Sequence, residues 1–454
     1  MTVRLGGGQG FYGDGHRPVD DLLAAGVDYL VCEALAELTL AILQKDRQRD
    51  ESLGYTRDLP LYLQQVMPYV LDGRTRFITN AGGINPVAAG RAVVGAARTL
   101  GVSGIKVATV VGDDVRGRAG ELGLPADALF ASAYLGARPI VEALDAGAQV
   151  VITGRVADAS LFLAPLVHEF GWAWDDFDLL AAGVVVGHLL ECSGQVTGGN
   201  YSGRWWENPD PMRIAFPIAS VETDGVAVIS KPPGTGGMVT FDTVREQLLY
   251  EVHDPAHYFS PDVVADFTSL TLDDLGGDRV RVSGVRAASP PSTDTYKGLV
   301  CTPAGYAGEA RLAYSWPDAE AKARAGLAFL RARAEENGVP VEEWREEYFG
   351  VNAFGGSTVG GSTAGGSTAG GSPVGGDDCE PPEVIGRLAW RTADRESAGR
   401  IAGEVGVLGL SGPPTISGTG RGGGGRPSQL LAVEPFYVDK KLVDDQVRVE
   451  VEEV

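Results

Sequence analysis

Gln149-Val-Val-Ile-Thr-Gly-Arg-Val-Ala-Asp158 is a short β-branched run that ends in glycine and small polar residues, and an amphipathic stretch at 158–170 follows at once. A strand, a tight turn and a helix in that order form the repeating unit of an α/β layer fold. The same unit recurs towards the amino terminus. Strands are predicted at 3–5, 28–32, 76–79, 106–111 and 149–153, with helices near 17–25, 34–48, 59–70, 85–100, 137–146 and 158–170 and a further long helix at 175–192. Strands that read as almost unbroken apolar runs need both faces covered, which implies parallel pairing with helices on each side. The expected class is α/β, a mostly parallel sheet with flanking helices, plus a mixed α+β second half.

That second half begins near residue 206. Strands are predicted at 214–221, 227–230 and 279–285, a helix at 239–253, and a charged helix from 317 to about 337, followed by an acidic segment to 348. Residues 355–376 repeat Gly-Gly-Ser-Thr-X, a composition that builds no core and reads as a flexible linker. The expected organisation is therefore a ligand-binding region at 1–205, a mixed region at 206–350, the linker, and 377–454 as strands that pack back on the core. Few large apolar groups occur in that last segment, so a separate core there would be marginal.

Composition narrows the function. The 454 residues carry 38 Lys+Arg against 60 Asp+Glu, a formal charge of −22. Such acidity disfavours a nucleic-acid or anionic-membrane partner, since both require a basic face. With 44% hydrophobic residues the chain can bury a core. Four scattered cysteines without a Cys-x-x-Cys pair suggest a reducing compartment. No secretion signal and no membrane-length apolar run is read, so a cytoplasmic protein is expected.

In parallel sheets ligands bind at the carboxyl ends of the strands, and several unusual clusters fall there. Gly6–Gly15 contains Gly8, Gly10, Phe11, Tyr12 and Asp14 just before a helix start, where bare backbone N–H groups can approach an anion. It matches neither a dinucleotide fingerprint nor a phosphate-binding NTPase loop. Thr79–Pro86 offers Asn80, Gly82 and Gly83, while Asn85 and Pro86 suit a helix start. Arg155 presents a fork of donors suited to a carboxylate or phosphate, and Asp158 serves as a helix cap, an orienting partner of Arg155 or a general base. Glu33 and Glu37, four residues apart, are expected on one helix face. His188, Glu191 and Cys192 share another helix, a spacing compatible with catalysis or with a buried structural histidine. Lys231, Thr235 and Gly236 form a stiff-then-flexible loop that could receive an anion, and Arg421 and Arg426 lie in a glycine-rich segment that either orders over an anionic ligand or is a disordered crossover.

These motifs stand in a familiar order: Gly-Phe-Tyr-Gly-Asp (10–14), Ala-Glu-Leu-Thr (36–39), Thr-Asn-Ala-Gly-Gly-Ile-Asn-Pro (79–86), Thr-Gly-Arg-Val-Ala-Asp (153–158), His-Leu-Leu-Glu-Cys (188–192), Val-Thr-Gly-Gly (196–199), Lys-Pro-Pro-Gly-Thr-Gly-Gly (231–237) and Glu-Gln-Leu-Leu-Tyr-Glu (246–251). Together they resemble the core domain of the acyclic terpene utilisation AtuA family, densely over residues 1 to about 350. The resemblance implies a role in bacterial catabolism of terpenoids through acyl-CoA thioesters. Where relatives read Gly-Asp-Tyr-Leu-Ala-Glu, this chain has Cys32-Glu33-Ala-Leu-Ala-Glu37.

The resulting expectation is a cofactor-independent lyase of hydratase type, acting on an unsaturated branched acyl-CoA. Asp158, Glu33, Asp14 and His188 are its candidate catalytic residues. The expected partner is this small anionic substrate, with neither nucleic acid nor membrane, and self-association as a homo-oligomer is left open. The rival reading is a non-catalytic acyl-thioester-binding subunit of a carboxylase or transferase. A third is a phosphate-ester hydrolase using Asp113 and Asp114 with Mg²⁺.

Overall fold

The computed structural model describes residues 1–99, 101–351, 380–418 and 425–454. The linker expected at 355–376 lies outside them. The chain forms two compact units, Met1–Thr302 with Val433–Val454, and Pro303–Ala432. These boundaries differ from the divisions near 205 and 350 expected from composition.

The first unit is built on β1 (Thr2–Gln9), β2 (Tyr29–Cys32), β3 (Arg76–Thr79), β4 (Lys106–Val111), β5 (Phe130–Ala133) and β6 (Val150–Thr153). Between them run α1 (Pro18–Ala24), α2 (Glu37–Arg49), α3 (Leu59–Leu71), α4 (Pro86–Thr99) and α5 (Arg138–Asp145), and after them α6 (Asp158–Phe170) and α7 (Phe177–Glu191). Strands β1, β2, β3, β6 and β4 pair in that order, all parallel. Tyr29 and Val31 face a core shared with α5, α6 and α7, while Leu30 and Cys32 face one shared with α1, α3 and α4. Covering both faces explains why these strands are apolar at every position.

Both margins of the sheet are antiparallel. On one side β7 (Ile218–Glu222), β8 (Ala227–Ser230), β12 (Val280–Ser283) and β11 (Thr271–Asp274) extend it from β1. On the other, β19 (Arg448–Glu453) pairs with β4. The α/β class therefore holds, with a sheet that is parallel only at its centre. The small sheet of β9 (Tyr258–Phe259), β10 (Val264–Asp266) and β13 (Arg286–Ala287) follows α8 (Phe241–Leu249).

The second unit holds most of β14 (Thr295–Ser315), with β15 (Glu343–Phe349), β16 (Glu383–Thr392) and β17 (Ile416–Gly418) in the antiparallel order β15-β16-β14-β17. Helices α9 (Ala319–Glu336) and α10 (Arg395–Glu404) close a core around Trp390, Tyr314 and Leu327. The first residues of β14 pair instead with β5, and β18 (Ser428–Asp439) also pairs with β14. Of the strands expected in 377–454, β16 thus belongs to this core, whereas β19 edges the main sheet.

Two local differences bear on the site. Gly6 to Gly8 are strand, not loop. A Cβ at Gly7 would lie 2.5 Å from the Leu190 carbonyl oxygen, and one at Gly8 would lie 2.7 Å from Leu30 Cδ1. The glycines let β1 accept the end of α7 and its neighbour β2 at close range. Helix α2 begins only at Glu37, so Glu33 sits in an extended segment before it and shares no helix face with Glu37.

Candidate active site

A cavity of about 1020 Å³ opens in the first unit, beside the carboxyl ends of the parallel strands. Three of its acids come from three separate backbone segments. Glu33 follows β2, Asp158 is the first residue of α6, and Glu191 is the last residue of α7. The α6–α7 hairpin brings the last two together. A Cβ at Gly187 would sit 2.5 Å from the Ala159 carbonyl oxygen, and one at Gly183 would sit 2.5 Å from Leu163 Cδ1, so the helices run antiparallel in near contact. The start of α6 and the end of α7 therefore share one end of the hairpin.

Beneath Asp158 lies Arg155, fully buried. Its guanidinium donates to the Leu35 oxygen at 2.6 Å, to the Val156 oxygen at 3.0 and 2.5 Å, and to Asp158. The Tyr134 ring covers it at 4.4 Å. The fork is satisfied inside the protein, and Arg155 does not line the cavity. Its expected role as an open anion clamp is corrected accordingly: it is the internal countercharge of Asp158.

Glu33 is also buried, and its Oε1 accepts hydrogen bonds from Leu35 N at 2.5 Å and Asn80 Nδ2 at 2.9 Å. Burial first, then the nearby Asp158 charge, pushes Glu33 well above the usual carboxylate range, against the pull of Arg155. Asp158 is raised as well, by burial, with Arg155 opposing. A hydrogen bond with Glu33 also pulls the Asp158 carboxyl down, while Glu33 Oε1 is occupied by two other donors. Two raised carboxyl groups in contact disfavour joint ionisation, so their titrations are linked.

Asn80 is fully buried and also accepts from Ala34 N at 2.8 Å, so it orients Glu33 and does not touch the cavity. Asp14 lines the cavity, but its Oδ2 accepts from Gly10 N at 3.0 Å and from the Ser193 hydroxyl at 2.7 Å. It fastens the loop after β1 to the end of α7. Ser193, held there at φ +44°, and Asn200, at φ +55°, both line the cavity. Such backbone in non-glycine residues persists only where the surroundings impose it.

Several expected contacts lie elsewhere. Gly10 and Phe11 line the cavity, whereas Gly8 and Tyr12 do not. Gly82 and Gly83 are packing positions, where a Cβ would meet the Thr153 oxygen at 2.4 Å and Leu43 Cδ1 at 2.3 Å. Lys231 is nearly buried, donates to the Thr235 oxygen at 2.8 Å and pairs with Asp278 at 3.2 Å, while the Thr235 hydroxyl donates to the Pro232 oxygen at 2.5 Å. A Cβ at Gly236 would lie 2.5 Å from the Asp210 oxygen. That loop closes on itself and offers no anion site. Arg426 is exposed in the second unit, and Arg421 lies outside the described residues. His188 is buried between Tyr258 and Phe267, in contact with Glu191 and not with the cavity.

Asp113 and Asp114 do not converge. Asp113 is buried and accepts from Arg155 N at 3.0 Å, while Asp114 caps a surface turn by accepting from Arg116 N at 2.9 Å. Among the described residues no group of three or more His, Cys, Asp or Glu could hold a metal ion. No described helix is long and apolar enough to cross a membrane.

The walls that sequence reasoning missed are aromatic: Tyr134, Phe216, Tyr250, Tyr258, Phe259 and Tyr437 all line the cavity. So does Lys297, whose Nζ lies 3.6 Å from Glu37 Oε1 and 5.2 Å from the Tyr134 ring centroid. These come from irregular segments and antiparallel strands, which carry no local signal.

A family model covers all of these site motifs. The model described as acyclic terpene utilisation family protein AtuA matches residues 3–449. The chain belongs to the AtuA family. The match spans both compact units, so the second unit is part of what the AtuA family shares. No curated protein matches the chain.

Proposed function

We propose that this AtuA-family chain is a lyase of hydratase type that adds water to, or removes it from, an unsaturated branched acyl thioester such as an acyl-CoA. The observation that carries this reading is the pair of buried acids Glu33 and Asp158, both raised by burial, at the edge of an aromatic-walled cavity. Asp158 keeps 35% of its side-chain surface open while Arg155 below holds its charge. In the hydration direction Asp158 accepts a proton from water, and the oxygen of that water bonds to the β-carbon. Glu33 steadies Asp158 as its charge changes. Lys297 is suited to the thioester oxygen as negative charge develops there.

The cavity is lined by Asp14, Glu33, Glu37, Asp158, Glu191 and Glu251 against one lysine. That balance favours an apolar acyl group within it and leaves the phosphates of a coenzyme outside. The test is a panel of unsaturated branched acyl-CoA and N-acetylcysteamine thioesters, followed by mass spectrometry for gain or loss of water. Turnover by the wild type, lost by about 100-fold or more in Glu33→Gln and Asp158→Asn with ligand affinity kept, is the expected result. Ligand binding without turnover in any member would replace this reading with the acyl-binding subunit.

A further inference from the structure

Hydration needs a second proton carrier, because the group that takes a proton from water cannot at once deliver one to the α-carbon. We infer that Glu191, poised by His188, is that second acid: the end of α7 places a carboxyl group beside Asp158 in the same cavity, with one oxygen bonded to a buried imidazole and the other unpartnered. The inference rests on the hydratase reading of this site.

Three observations converge. The hairpin register sets the last turn of α7 against the first of α6, so Glu191 and Asp158 are neighbours by construction. His188 is fixed from both sides. Its Nε2 faces the Gln247 carbonyl oxygen at 3.0 Å and must donate to it, so its Nδ1, 3.0 Å from Glu191 Oε1, either accepts from a protonated Glu191 or donates to a carboxylate. One proton lies on that line in either case. Gln247 in turn donates to the His188 carbonyl at 2.9 Å, and Tyr258 and Phe267 flank the ring at 5.3 Å each. Finally, Glu191 Oε2 is buried with no hydrogen-bond partner among the described residues. Native proteins rarely leave such an atom without a purpose, and a bound reactant or water would satisfy it.

The groups facing Glu191 are Asp158 from α6, Glu251 after α8, Cys192 at its own helix end, Tyr258 from β9 and His188. Burial, then the acids Asp158 and Glu251, push Glu191 up to about 7, with His188 pulling the other way. A carboxyl raised in this way retains a proton closer to neutrality than an ordinary glutamate, as a general acid requires.

The step balances without a cofactor. The water oxygen bonds to the β-carbon, its proton goes to Asp158, the π pair becomes the α-carbon–hydrogen bond with the proton of Glu191, and solvent returns one proton to Glu191 as it removes one from Asp158. His188 is a positioning residue that stores the proton and does not meet the reactant.

The probe is 3-methylbut-2-enoyl N-acetylcysteamine thioester, assayed for hydration and for deuterium uptake at the α-carbon of the recovered product. Glu191→Gln is expected to lower turnover by about 100-fold or more while probe affinity stays within about 3-fold. His188→Gln is expected to displace the pH profile with a smaller loss. Wild-type turnover in Glu191→Gln overturns the inference. Nitrogen-15 NMR of the assigned His188 provides a readout that needs no substrate. A titration step near neutrality in the wild type, absent from Glu191→Gln, is expected. A wild-type His188 whose ring nitrogens show no titration at all from pH 5 to 9 overturns the shared proton even if Glu191→Gln fails to fold. If the wild type hydrates no probe but His188 titrates as described, the hydratase reading falls and the proton-sharing pair stands.

Discussion

Asp113→Asn is the most quantitative perturbation the site offers, because it lies one residue layer below the cavity and its effect needs no substrate. Asp113 is 4% exposed, and burial pushes its carboxyl up to about 7, with the Arg155 N–H only partly offsetting this. In the unfolded chain the same group titrates near about 3.9. The folded protein holds the proton more tightly, so the contribution to stability is complete below the unfolded value and is lost as pH rises through about 7. A difference of about 3 pH units at about 1.36 kcal/mol each gives roughly 4 kcal/mol lost to ionisation at alkaline pH. Asparagine keeps an oxygen for Arg155 N and never ionises. Its stability relative to the wild type should rise by roughly 3–4 kcal/mol between about pH 4 and about pH 8. Urea unfolding of both proteins at the two pH values, followed on the first unit by hydrogen exchange in β4 and β6, measures this as a difference of differences in which every other titrating group cancels. A flat difference, within about 1 kcal/mol across that range, would show that Asp113 is ionised in the folded protein and would refute the burial argument.

Other outcomes follow from the same geometry. Asn80→Ala strands the buried Ala34 N–H and removes a donor from Glu33, which should cost about 2–5 kcal/mol in chemical denaturation and abolish any turnover. Gly187→Ala should lower the melting temperature clearly, by about 1–3 kcal/mol in stability, since the new methyl meets the backbone of Ala159. Gly183→Ala should cost less, because its methyl meets only side-chain atoms, the movable end of Leu163 and the rim of the Trp172 ring at 3.2 Å, and gains helix propensity. Equal effects of the two glycine substitutions would contradict the hairpin register.

The sheet centre was legible because each parallel strand carries its own apolar run: 76–79 and 106–111 coincide with β3 and β4. The marginal strands at 227–230 and 279–285 were legible too, as β8 and β12, but β5 was not. β5 is buried by pairing with residues 298–301 of β14, and no local pattern in Phe130–Ala133 announces a partner so distant in sequence. The same limit applies to the site. Arg155, Asp158 and Glu33 were recognisable from their places at strand ends, but whether an arginine reaches a ligand or an interior carbonyl depends on burial. The Leu35 and Val156 oxygens that occupy Arg155 are backbone atoms, on which side-chain identity is silent. Likewise the glycines of 6–8 read as a loop because their close neighbours, Leu190 and Leu30, come from other parts of the chain.

The number of acids around Arg155 separates proton handling from a structural ion pair. One guanidinium needs one carboxylate, and Asp158 supplies it. Glu33 adds a second acid that forms no ion pair of its own among the described residues and accepts from Leu35 N and Asn80. Ionised together, the two acids would leave a net negative charge in a poorly solvated place, so the cluster keeps a proton that a purely structural network would have no use for. A phosphate-binding pocket would show the reverse excess, with donors outnumbering acids. Here the donors of Arg155 and Lys231 are already taken by protein oxygens. The arrangement is therefore poor at holding anions and well suited to holding one proton beside an apolar reactant, which is why the hydratase reading depends on Glu33 and Asp158 and not on the arginine.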